Sequence, residues 1–330
     1  MRIAVIGGGS WGSAIAHSLA SKDYDVRILV RSPEQAEAIN SRHTNPRYLG
    51  ETPLHPALKA HTTPAGALEG TSLCILAVPC QHLRGVLRSL RPHLSPGHVL
   101  VNAGKGIERG SLSLMSAVVA EETPEYAASY AILSGPSFAS ELIRGLPTAV
   151  VLGCADRELG ETLRETFSTA GFRVYSSTDV CGVELGGALK NVMALAAGMS
   201  DGLGFGHNSR AALITRGLAE MSRLGEAMGA RASTFMGLSG MGDLVLSCTG
   251  DLSRNRRVGL RLGGGESLES ILASMHEVAE GVPTTEAACA LALRHGAAMP
   301  ICETVHAVIH GKTDPALAVS NLMSRSLKEE

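Results

Sequence analysis

The chain has 330 residues, about twice the usual single-domain length of roughly 100 to 150, so its length predicts two domains that each bury a core. Apolar residues make up 45% and charged residues 18%, which excludes long disordered or coiled-coil stretches. The net charge of −2 excludes a general attraction to nucleic acid or anionic lipid, so any anionic ligand must be bound by a local site.

Seven cysteines form an odd set without a Cys-x-x-Cys pair, which is typical of reduced, mostly buried thiols rather than of a disulfide framework or a zinc site. No cluster of His, Cys and carboxylate residues has ligand spacing, so we expect no metal. The apolar start of the chain is too short for a signal peptide, and no apolar run approaches the roughly 20 residues that span a bilayer. We therefore expect a cytoplasmic protein without membrane insertion or a nucleic-acid partner.

The chain begins with a pattern of strand, tight turn and helix. Residues 2–6 are β-branched and apolar, and a glycine-rich turn leads from them into good helix material. A second apolar run, 26–30, follows at the distance of a βαβ unit. Ser32-Pro33-Glu34-Gln35 then predicts another helix, with Ser32 as N-cap, Pro33 in the first turn and Gln35 as capping-box partner.

Further short, continuous apolar runs predict the rest of a parallel sheet, because strands covered on both faces need apolar residues throughout. Helix-length segments separate these runs. They are residues 73–78, 98–101, 130–133, 149–152 and 172–175.

After about residue 180, β-branched runs become scarce and Ala, Leu, Met and Gly dominate at helical spacing. Four small residues there lie on neighbouring faces of one helix, where another backbone can approach closely: Gly182, Gly186, Ala194 and Gly198. We therefore predict an α/β fold, with a doubly wound sheet domain at 1–180 followed by an all-helical domain at 181–330.

The turn after the first strand contains Gly7, Gly9 and Gly12 in the spacing of the dinucleotide fingerprint of Rossmann-type domains. The first glycine turns the chain, the second lets the backbone approach a pyrophosphate, and the third permits close helix packing. The helix N-terminus then faces the phosphates. We predict an NADP or NAD site in the first domain, the alternative being a purely structural glycine turn.

At the end of the second strand, where a strict NAD site carries an acidic residue, the chain has Arg31. Arg31 favours the 2′-phosphate of NADP, although Glu34 lies close enough to keep NAD open and a solvated arginine is an alternative. Tyr48 either flanks the adenine or is a surface aromatic residue of a loop.

Two segments follow strands on the side where doubly wound folds bind ligands. Lys105 stands between glycines and is a candidate anion contact, or else an ordinary turn residue. The segment 134–139 brings hydroxyl groups and backbone amides to a helix start, where simple capping is the alternative.

Lys190 and Asn191 interrupt the almost wholly small or apolar run 185–199, so this lysine either extends to water or faces the cleft between the domains. An ammonium in that cleft could donate a proton to a carbonyl oxygen while hydride reaches the carbon. Further on, Ser253 as N-cap beside Arg254 forms a candidate phosphate site. A solvated basic helix is the alternative there, above all for Arg256 and Arg257.

Together these segments resemble the bacterial NAD(P)-dependent glycerol-3-phosphate dehydrogenase family, from residue 1 to about residue 323. His207 departs from the Asp or Asn of many relatives without a catalytic consequence. The motifs that carry the resemblance are Gly-Gly-Gly-Ser-Trp-Gly at 7–12, Ser-Gly-Pro-Ser-Phe-Ala at 134–139, Glu-Leu-Gly-Gly-Ala-Leu-Lys-Asn at 184–191, Asn-Ser-Arg-Ala-Ala-Leu-Ile-Thr-Arg-Gly at 208–217, Gly-Asp-Leu at 242–244, Leu-Ser-Arg-Asn at 252–255 and Val-Ala-Glu-Gly-Val at 278–282.

The resemblance implies a homodimer that reversibly reduces dihydroxyacetone phosphate to sn-glycerol 3-phosphate for phospholipid synthesis, with Lys190 as the catalytic proton donor or acceptor. The substrate would be bound by Lys105, Gly135, Ser137, Lys190, Asp243, Ser253, Arg254 and Asn255. Besides the three glycines and Tyr48, the cofactor would be bound by Ser10, Trp11, Arg31, Lys105, Ala139, Arg254, Val278 and Glu280.

Two other functions stay open from the residues alone. A ketopantoate or 3-hydroxyacid reductase would combine the same domain types with a carboxylate substrate, but the Gly-Asp-Leu and Leu-Ser-Arg-Asn motifs argue against it. A non-catalytic NADP(H) sensor would bind the cofactor and would have no need of Lys190.

Overall fold

The computed structural model describes residues 1–275 and 277–323. The chain divides into two compact units. The first contains Met1–Lys105 and Ser113–Val183, and the second contains Gly106–Leu112 and the chain from Glu184 onward. A mostly parallel sheet with helices makes up the first unit and helices make up the described part of the second, which confirms the predicted fold class. Residues 324–330 of the predicted second domain lie outside the described residues.

One eight-stranded sheet organises the first unit. Numbered along the chain, the strands are β1 (Arg2–Ile6), β2 (Asp25–Leu29), β3 (Thr44–Asn45), β4 (Gly50–Pro53), β5 (Lys59–His61), β6 (Leu73–Leu76), β7 (Val99–Asn102), β8 (Tyr130–Ser134), β9 (Thr148–Cys154) and β10 (Phe172–Ser177). The sheet order is β10-β9-β8-β7-β6-β1-β2-β5, and β3 and β4 form a separate antiparallel pair. All neighbours in the large sheet are parallel except β8 and β9.

All seven predicted apolar runs are strands, because both faces of the sheet are covered and β6 and β8 are buried along their whole length. The prediction missed β5, since two of its three residues are polar and it lies at the sheet edge. It also missed the reversal between β8 and β9. A strand buried on both faces has the same apolar pattern in either direction.

Helices cover the sheet of the first unit. They are α1 (Ser10–Ala20), α2 (Pro33–Glu37), α3 (Pro46–Leu49), α4 (Pro64–Leu68), α5 (Cys80–Leu90), α6 (Met115–Glu122), α7 (Ala139–Leu142) and α8 (Arg157–Phe167). Ser32 caps α2 as predicted, because its hydroxyl oxygen accepts a hydrogen bond from the amide of Gln35 at 3.2 Å. The predicted capping-box role of Gln35 is wrong, since its side-chain amide donates instead to the carbonyl oxygen of Gly8 at 2.6 Å.

The second unit consists of helices in the residues that the structure describes. They are α9 (Val180–Gly202), which begins in the first unit, α10 (His207–Ala227), α11 (Ala232–Phe235), α12 (Asp243–Thr249), α13 (Arg254–Gly263), α14 (Leu268–Ala273), α15 (Gly281–His295), α16 (Pro300–Ile309) and α17 (Pro315–Met323). A π-helical turn at Leu238–Gly242 precedes α12.

Helices α9 and α13 pack backbone against backbone. A Cβ atom at Gly198 would lie 2.1 Å from the carbonyl oxygen of Arg256, and one at Gly259 would lie 2.1 Å from that of Leu195. Neither space admits a side chain, so glycine is required on both helices. The predicted close approach at Gly198 is thus confirmed, and α13 is the partner helix.

The expectation that no apolar run could span a bilayer is wrong for α9, whose 23 residues are long and apolar enough by composition. Within the protein, however, 89% of its most apolar window is buried. Such burial is typical of the core helix of a globular domain, which needs an apolar surface all round.

Most of the cysteine thiols are buried, as the cysteine pattern predicts. All seven cysteines lie in described residues, and five of them are buried. Only Cys181 and Cys289 are half-buried.

A buried carboxyl group holds the start of α16. Glu220 on α10 is 3% exposed, and its two oxygens accept hydrogen bonds from the amides of Ile301 at 2.8 Å and Cys302 at 3.3 Å. Burial raises the pKa of Glu220 to about 7, and the two amides and Arg223 counteract only part of that rise. A carboxyl group thus binds the free amides of a helix N-terminus.

We predict that Glu220 makes the protein less stable as the pH rises. Because its folded pKa lies above its unfolded value, its contribution is complete below about pH 4.5 and is lost as the pH rises through about 7. The loss amounts to about 3 kcal/mol at full ionisation. Denaturant unfolding at pH 5 and pH 8 should show this slope in the wild type and in Glu226→Gln, an exposed control on the same helix, but not in Glu220→Gln. Equal slopes in all three proteins would contradict the prediction.

Candidate active site

The turn between β1 and α1 has a shape that only glycine permits. Gly7 has a φ of +112°, and a Cβ atom there would lie 2.5 Å from the carbonyl oxygen of Ala77. A Cβ atom at Gly12 would lie 2.0 Å from the carbonyl oxygen of Gly7, so the helix rests directly on the turn. At Gly9 a Cβ atom would meet no atom within 4 Å, which leaves this side of the turn open to a ligand.

Two amide side chains hold this turn from behind. Asn45 donates from Nδ2 to the carbonyl oxygen of Gly8 at 2.9 Å and to the hydroxyl oxygen of Ser13 at 2.8 Å. Gln35 donates to the same carbonyl oxygen and to Oδ1 of Asn45 at 3.2 Å. The turn is therefore fixed by the protein's own hydrogen bonds.

The N-terminus of α1 fits a dinucleotide phosphate. Gly9 is its N-cap and contributes no side-chain cap. Beside it, the indole Nε1 of Trp11 is buried without a hydrogen-bond partner, and the hydroxyl of Ser10 donates to the carbonyl oxygen of Tyr48 at 3.1 Å. Backbone amides at the helix start and the unused N–H of Trp11 are donors that can bind phosphate oxygens. The open side of Gly9 gives the phosphate room to approach them. Tyr48 thus lies beside the glycine turn.

Arg31 and Glu34 differ in what they bind at the end of β2. Arg31 is exposed, and the structure gives it no hydrogen bond or ion pair within the described residues. The carboxylate of Glu34 instead accepts a hydrogen bond from the hydroxyl of Ser32, which lowers the pKa of Glu34. The cation is therefore available to a ligand, whereas the carboxylate has a local partner.

Lys105, Gly135 and Ser137 come together at the ends of β7 and β8. The ammonium of Lys105 donates to the carbonyl oxygen of Gly135 at 2.8 Å, and the hydroxyl of Ser137 donates to the same oxygen at 2.9 Å. Gly135 has a φ of +136°, and a Cβ atom there would lie 2.9 Å from Cα of Val150, so no other residue fits. Ala139 follows as the first residue of α7.

In the second unit, Lys190 on α9 is held by two side chains of α12. Its ammonium lies 3.1 Å from Oδ1 of Asp243 and donates to Oγ of Ser247 at 2.7 Å. The side chain of Asp243 is 2% exposed and that of Lys190 is 11% exposed. A buried carboxylate beside it stabilises the ammonium form, and the side chain of Lys190 keeps a small solvent-exposed fraction.

A chain of buried amides begins next to Lys190. Asn255 on α13 donates from Nδ2 to Oδ1 of Asn191 at 2.8 Å and accepts from the amide of Gly281 at 2.9 Å. A Cβ atom at Gly281 would lie 2.7 Å from the carbonyl oxygen of Asn191. Asn255 therefore joins α9, α13 and α15, a structural role that its motif did not predict.

The start of α13 carries the predicted cap and a cation. The hydroxyl oxygen of Ser253 accepts from the amide of Arg256 at 3.3 Å. The Arg254 side chain is 44% exposed, with Glu277 at a distance of 4.0 Å. Arg256 is no solvated residue, because Asp201 at 2.8 Å and Asp251 at 2.9 Å bind its guanidinium.

The remaining predicted site residues lie before and at the start of α15. Val278 is 44% exposed, and Glu280 is the N-cap of α15. Within the described residues, no three His, Cys, Asp or Glu side chains form a group that could hold a metal ion. The sequence analysis missed Asn45 and Ser247, the contact of Gln35 with the glycine turn and the hydrogen bond between Asn191 and Asn255. Ser247 follows Asp243 by one helical turn, a spacing that could have identified it.

Comparison with known families covers nearly the whole chain. Residues 2–160 match the model of the NAD-dependent glycerol-3-phosphate dehydrogenase N-terminus, and residues 179–320 match that of the C-terminus. A protein of Nitratidesulfovibrio vulgaris strain DP4 named glycerol-3-phosphate dehydrogenase [NAD(P)+] is 62% identical over the full length of both chains. A protein of the same name from Geobacter sulfurreducens is 52% identical over 100% of this chain and 98% of its own.

Solved structures agree with these matches. The structure of glycerol-3-phosphate dehydrogenase from Coxiella burnetii covers 98% of this chain and 99% of its own at 39% identity, with a TM-score of 0.93. A ketopantoate reductase family structure from Ralstonia eutropha covers 97% and 100% at 13% identity, with a TM-score of 0.61, and so shares the fold alone. With both family models matched and full-length identity above half, this chain belongs to the NAD-dependent glycerol-3-phosphate dehydrogenase family.

Proposed function

We propose that this protein catalyses the reversible, NAD(P)-dependent reduction of dihydroxyacetone phosphate to sn-glycerol 3-phosphate. The observation that carries the proposal is the ammonium of Lys190, held between Asp243 and Ser247 in a chain whose full-length relatives bear the name of this enzyme. A sensor without chemistry has no use for a lysine held in this way.

Lys190 is the proton donor of the proposed reaction. Its ammonium gives a proton to the carbonyl oxygen of the substrate and takes it back from the hydroxyl group in the reverse direction. Asp243 stabilises the positive charge, and Ser247 accepts a hydrogen bond at 2.7 Å that orients the ammonium. The amide of Asn255 keeps α13 and α15 against Asn191, the residue next to Lys190.

The glycine turn and its surroundings hold the cofactor, which supplies the hydride when it is bound. The N-terminus of α1, with Gly7, Gly9, Ser10, Trp11 and Gly12, binds the pyrophosphate in this proposal. Arg31 binds the 2′-phosphate of NADP, and Tyr48 lies beside the adenosine half. Support comes from the open side of Gly9, the unused Trp11 N–H and the exposure of Arg31. Ala139, Val278 and Glu280 complete the proposed set by family resemblance.

The substrate phosphate needs positive charge that the whole protein, at −2, does not supply. Lys105 supplies it in the first unit, where its ammonium and the hydroxyl of Ser137 both bind the carbonyl oxygen of Gly135. In the second unit, Arg254 stands at the N-terminus of α13, where the free amides and the helix dipole also favour an anion. Ser253 and Asn255 fix that helix start, so their contribution to substrate binding is partly through position.

Family resemblance supports further parts of the proposal. The domain at 1–180 binds the cofactor and the domain at 181–330 binds the substrate. The enzyme is a cytoplasmic homodimer that supplies phospholipid synthesis. None of these parts is needed for the chemistry at Lys190.

The activity is tested by oxidation of NADPH at 340 nm with dihydroxyacetone phosphate, repeated with NADH and with ketopantoate. We expect saturable turnover with dihydroxyacetone phosphate and none with ketopantoate. Folded protein that binds NADPH and turns over neither substrate would overturn the proposed reaction in favour of a sensor.

Replacing Lys190 tests the proton donor. We expect Lys190→Met to lower kcat by about 10²- to 10⁴-fold, the usual range for one general acid. Lys190→Arg should be nearly as slow, because its guanidinium keeps the charge but does not release a proton. Fluorescence titration should show little change in NADPH affinity in either variant. A kcat within a few-fold of the wild type would remove Lys190 from this role.

Replacing Arg31 tests cofactor discrimination. Arg31→Glu should raise the KM for NADPH at least about tenfold, because a charge-assisted hydrogen bond to the 2′-phosphate is replaced by repulsion. The KM for NADH should change far less, since NADH lacks that phosphate. Arg157→Glu, an exposed arginine at the start of α8, is the matched control and should leave both values unchanged. Equal weakening of the two cofactors by Arg31→Glu would refute the assignment.

A further inference from the structure

Two thiols face each other between α15 and α16. Sγ of Cys289 lies 3.5 Å from Sγ of Cys302, and the two residues are 13 positions apart in the chain. The turn between the helices contains Gly296, in the left-handed conformation with a φ of +65°. The closeness of the sulfur atoms is therefore produced by the packing of two helices joined by a short connection.

The two thiols differ in their access to solvent. Cys289 is half-buried, whereas Cys302 is fully buried at the start of α16. The amide of Cys302 donates to Glu220, which fixes the position of this residue, and its thiol also lies 3.9 Å from the carbonyl oxygen of Thr285. A small oxidant from solvent therefore reaches Cys289 before it reaches the buried thiol of Cys302.

The local electrostatics also favour reaction at Cys289. The hydrogen bond between the two thiols lowers the pKa of Cys289, and the same contact together with burial raises the pKa of Cys302. Because thiolates are the reactive form, the accessible sulfur is the better nucleophile of the pair.

We propose that Cys289 and Cys302 form a reversible disulfide bond, with Cys289 as the thiol that attacks a small peroxide and Cys302 as the resolving thiol. Disulfide sulfur atoms lie about 2.05 Å apart, so the two atoms must approach by roughly 1.5 Å. Rotation about the Cα–Cβ bonds of the two side chains moves sulfur atoms over distances of this order.

The chemistry balances with hydrogen peroxide as the oxidant. Cys289 attacks one peroxide oxygen, the O–O bond breaks, and the products are a sulfenic acid and one water molecule. The Cys302 sulfur then attacks the Cys289 sulfur, and the sulfenic hydroxyl leaves with the proton of Cys302 as a second water. The two thiols are oxidised by two electrons, and the peroxide is reduced by two. A dithiol such as dithiothreitol reverses the oxidation by exchange.

The test treats the fully reduced, full-length protein with hydrogen peroxide, alkylates the remaining thiols with N-ethylmaleimide, and maps the peptides by mass spectrometry. We expect the seven thiols of the chain to fall to five, with one linked peptide that joins Cys289 to Cys302. Dithiothreitol should restore all seven. Cys181→Ser, which removes the other half-buried cysteine, should lose the same two thiols.

Variants of the pair identify the order of events. Cys289→Ser should keep all six of its thiols, and Cys302→Ala should accumulate a sulfenic acid at Cys289 that dimedone traps. The proposal is overturned if the wild-type protein keeps seven thiols, if Cys289 is oxidised to sulfinic acid without a link to Cys302, or if the linked peptide contains another cysteine. The wild-type measurement decides the matter even if Cys302→Ala fails to fold.

Discussion

The close packing of α9 on α13 is the constraint on which the candidate catalytic centre depends. Glycines at 198 and 259 let the two backbones approach to a distance that no side chain permits. At this distance Asn255 donates a hydrogen bond directly to Asn191. The amide of Gly281 donates to Asn255 and so joins α15 to the pair. Lys190 directly precedes Asn191 on α9. Its position therefore depends on the glycines that let α9 pack closely against α13.

Charge reinforces the same packing at the C-terminal end of α9. Asp201 is almost fully buried and binds both Arg210 of α10 and Arg256 of α13. A buried carboxylate with two guanidinium partners is satisfied only when all three helices are in place, and loss of one partner would leave an uncompensated charge. The arrangement thus favours a single orientation of α9, the helix that carries Lys190.

The sequence predicted the fold well, because its main signals are local. Strands buried on both faces and a glycine-rich turn are visible as short patterns, and so is the serine that caps α2. It predicted poorly what depends on long-range packing. Gln35 has the spacing of a capping-box partner, yet its side-chain amide donates to the carbonyl oxygen of Gly8, 27 positions away in the chain. The edge strand β5 has no apolar pattern. The apolar pattern of β9 does not reveal that this strand runs antiparallel to β8.

The same limit applies to the candidate site. Lys190 and Lys105 are conspicuous in sequence because each is a charge within an apolar or glycine-rich segment. Asn45 is not, since an asparagine in a loop has many ordinary roles. Asn191 interrupts the same run as Lys190, but its partner on another helix has no signal in the sequence. Asn255 stands in a recognisable motif, but only the structure shows that both ends of its amide join helices.

The hydrogen bonds of Asn45 and Gln35 to Gly8 have a consequence for repeated turnover. Because these side chains set the shape of the glycine turn, the turn does not rely on a nucleotide to order it. Binding then costs little conformational entropy in this segment, and release does not require the segment to be rebuilt. A dehydrogenase must exchange its oxidised nucleotide for a reduced one in every cycle, and a turn that keeps its shape throughout makes that exchange a matter of diffusion rather than of refolding.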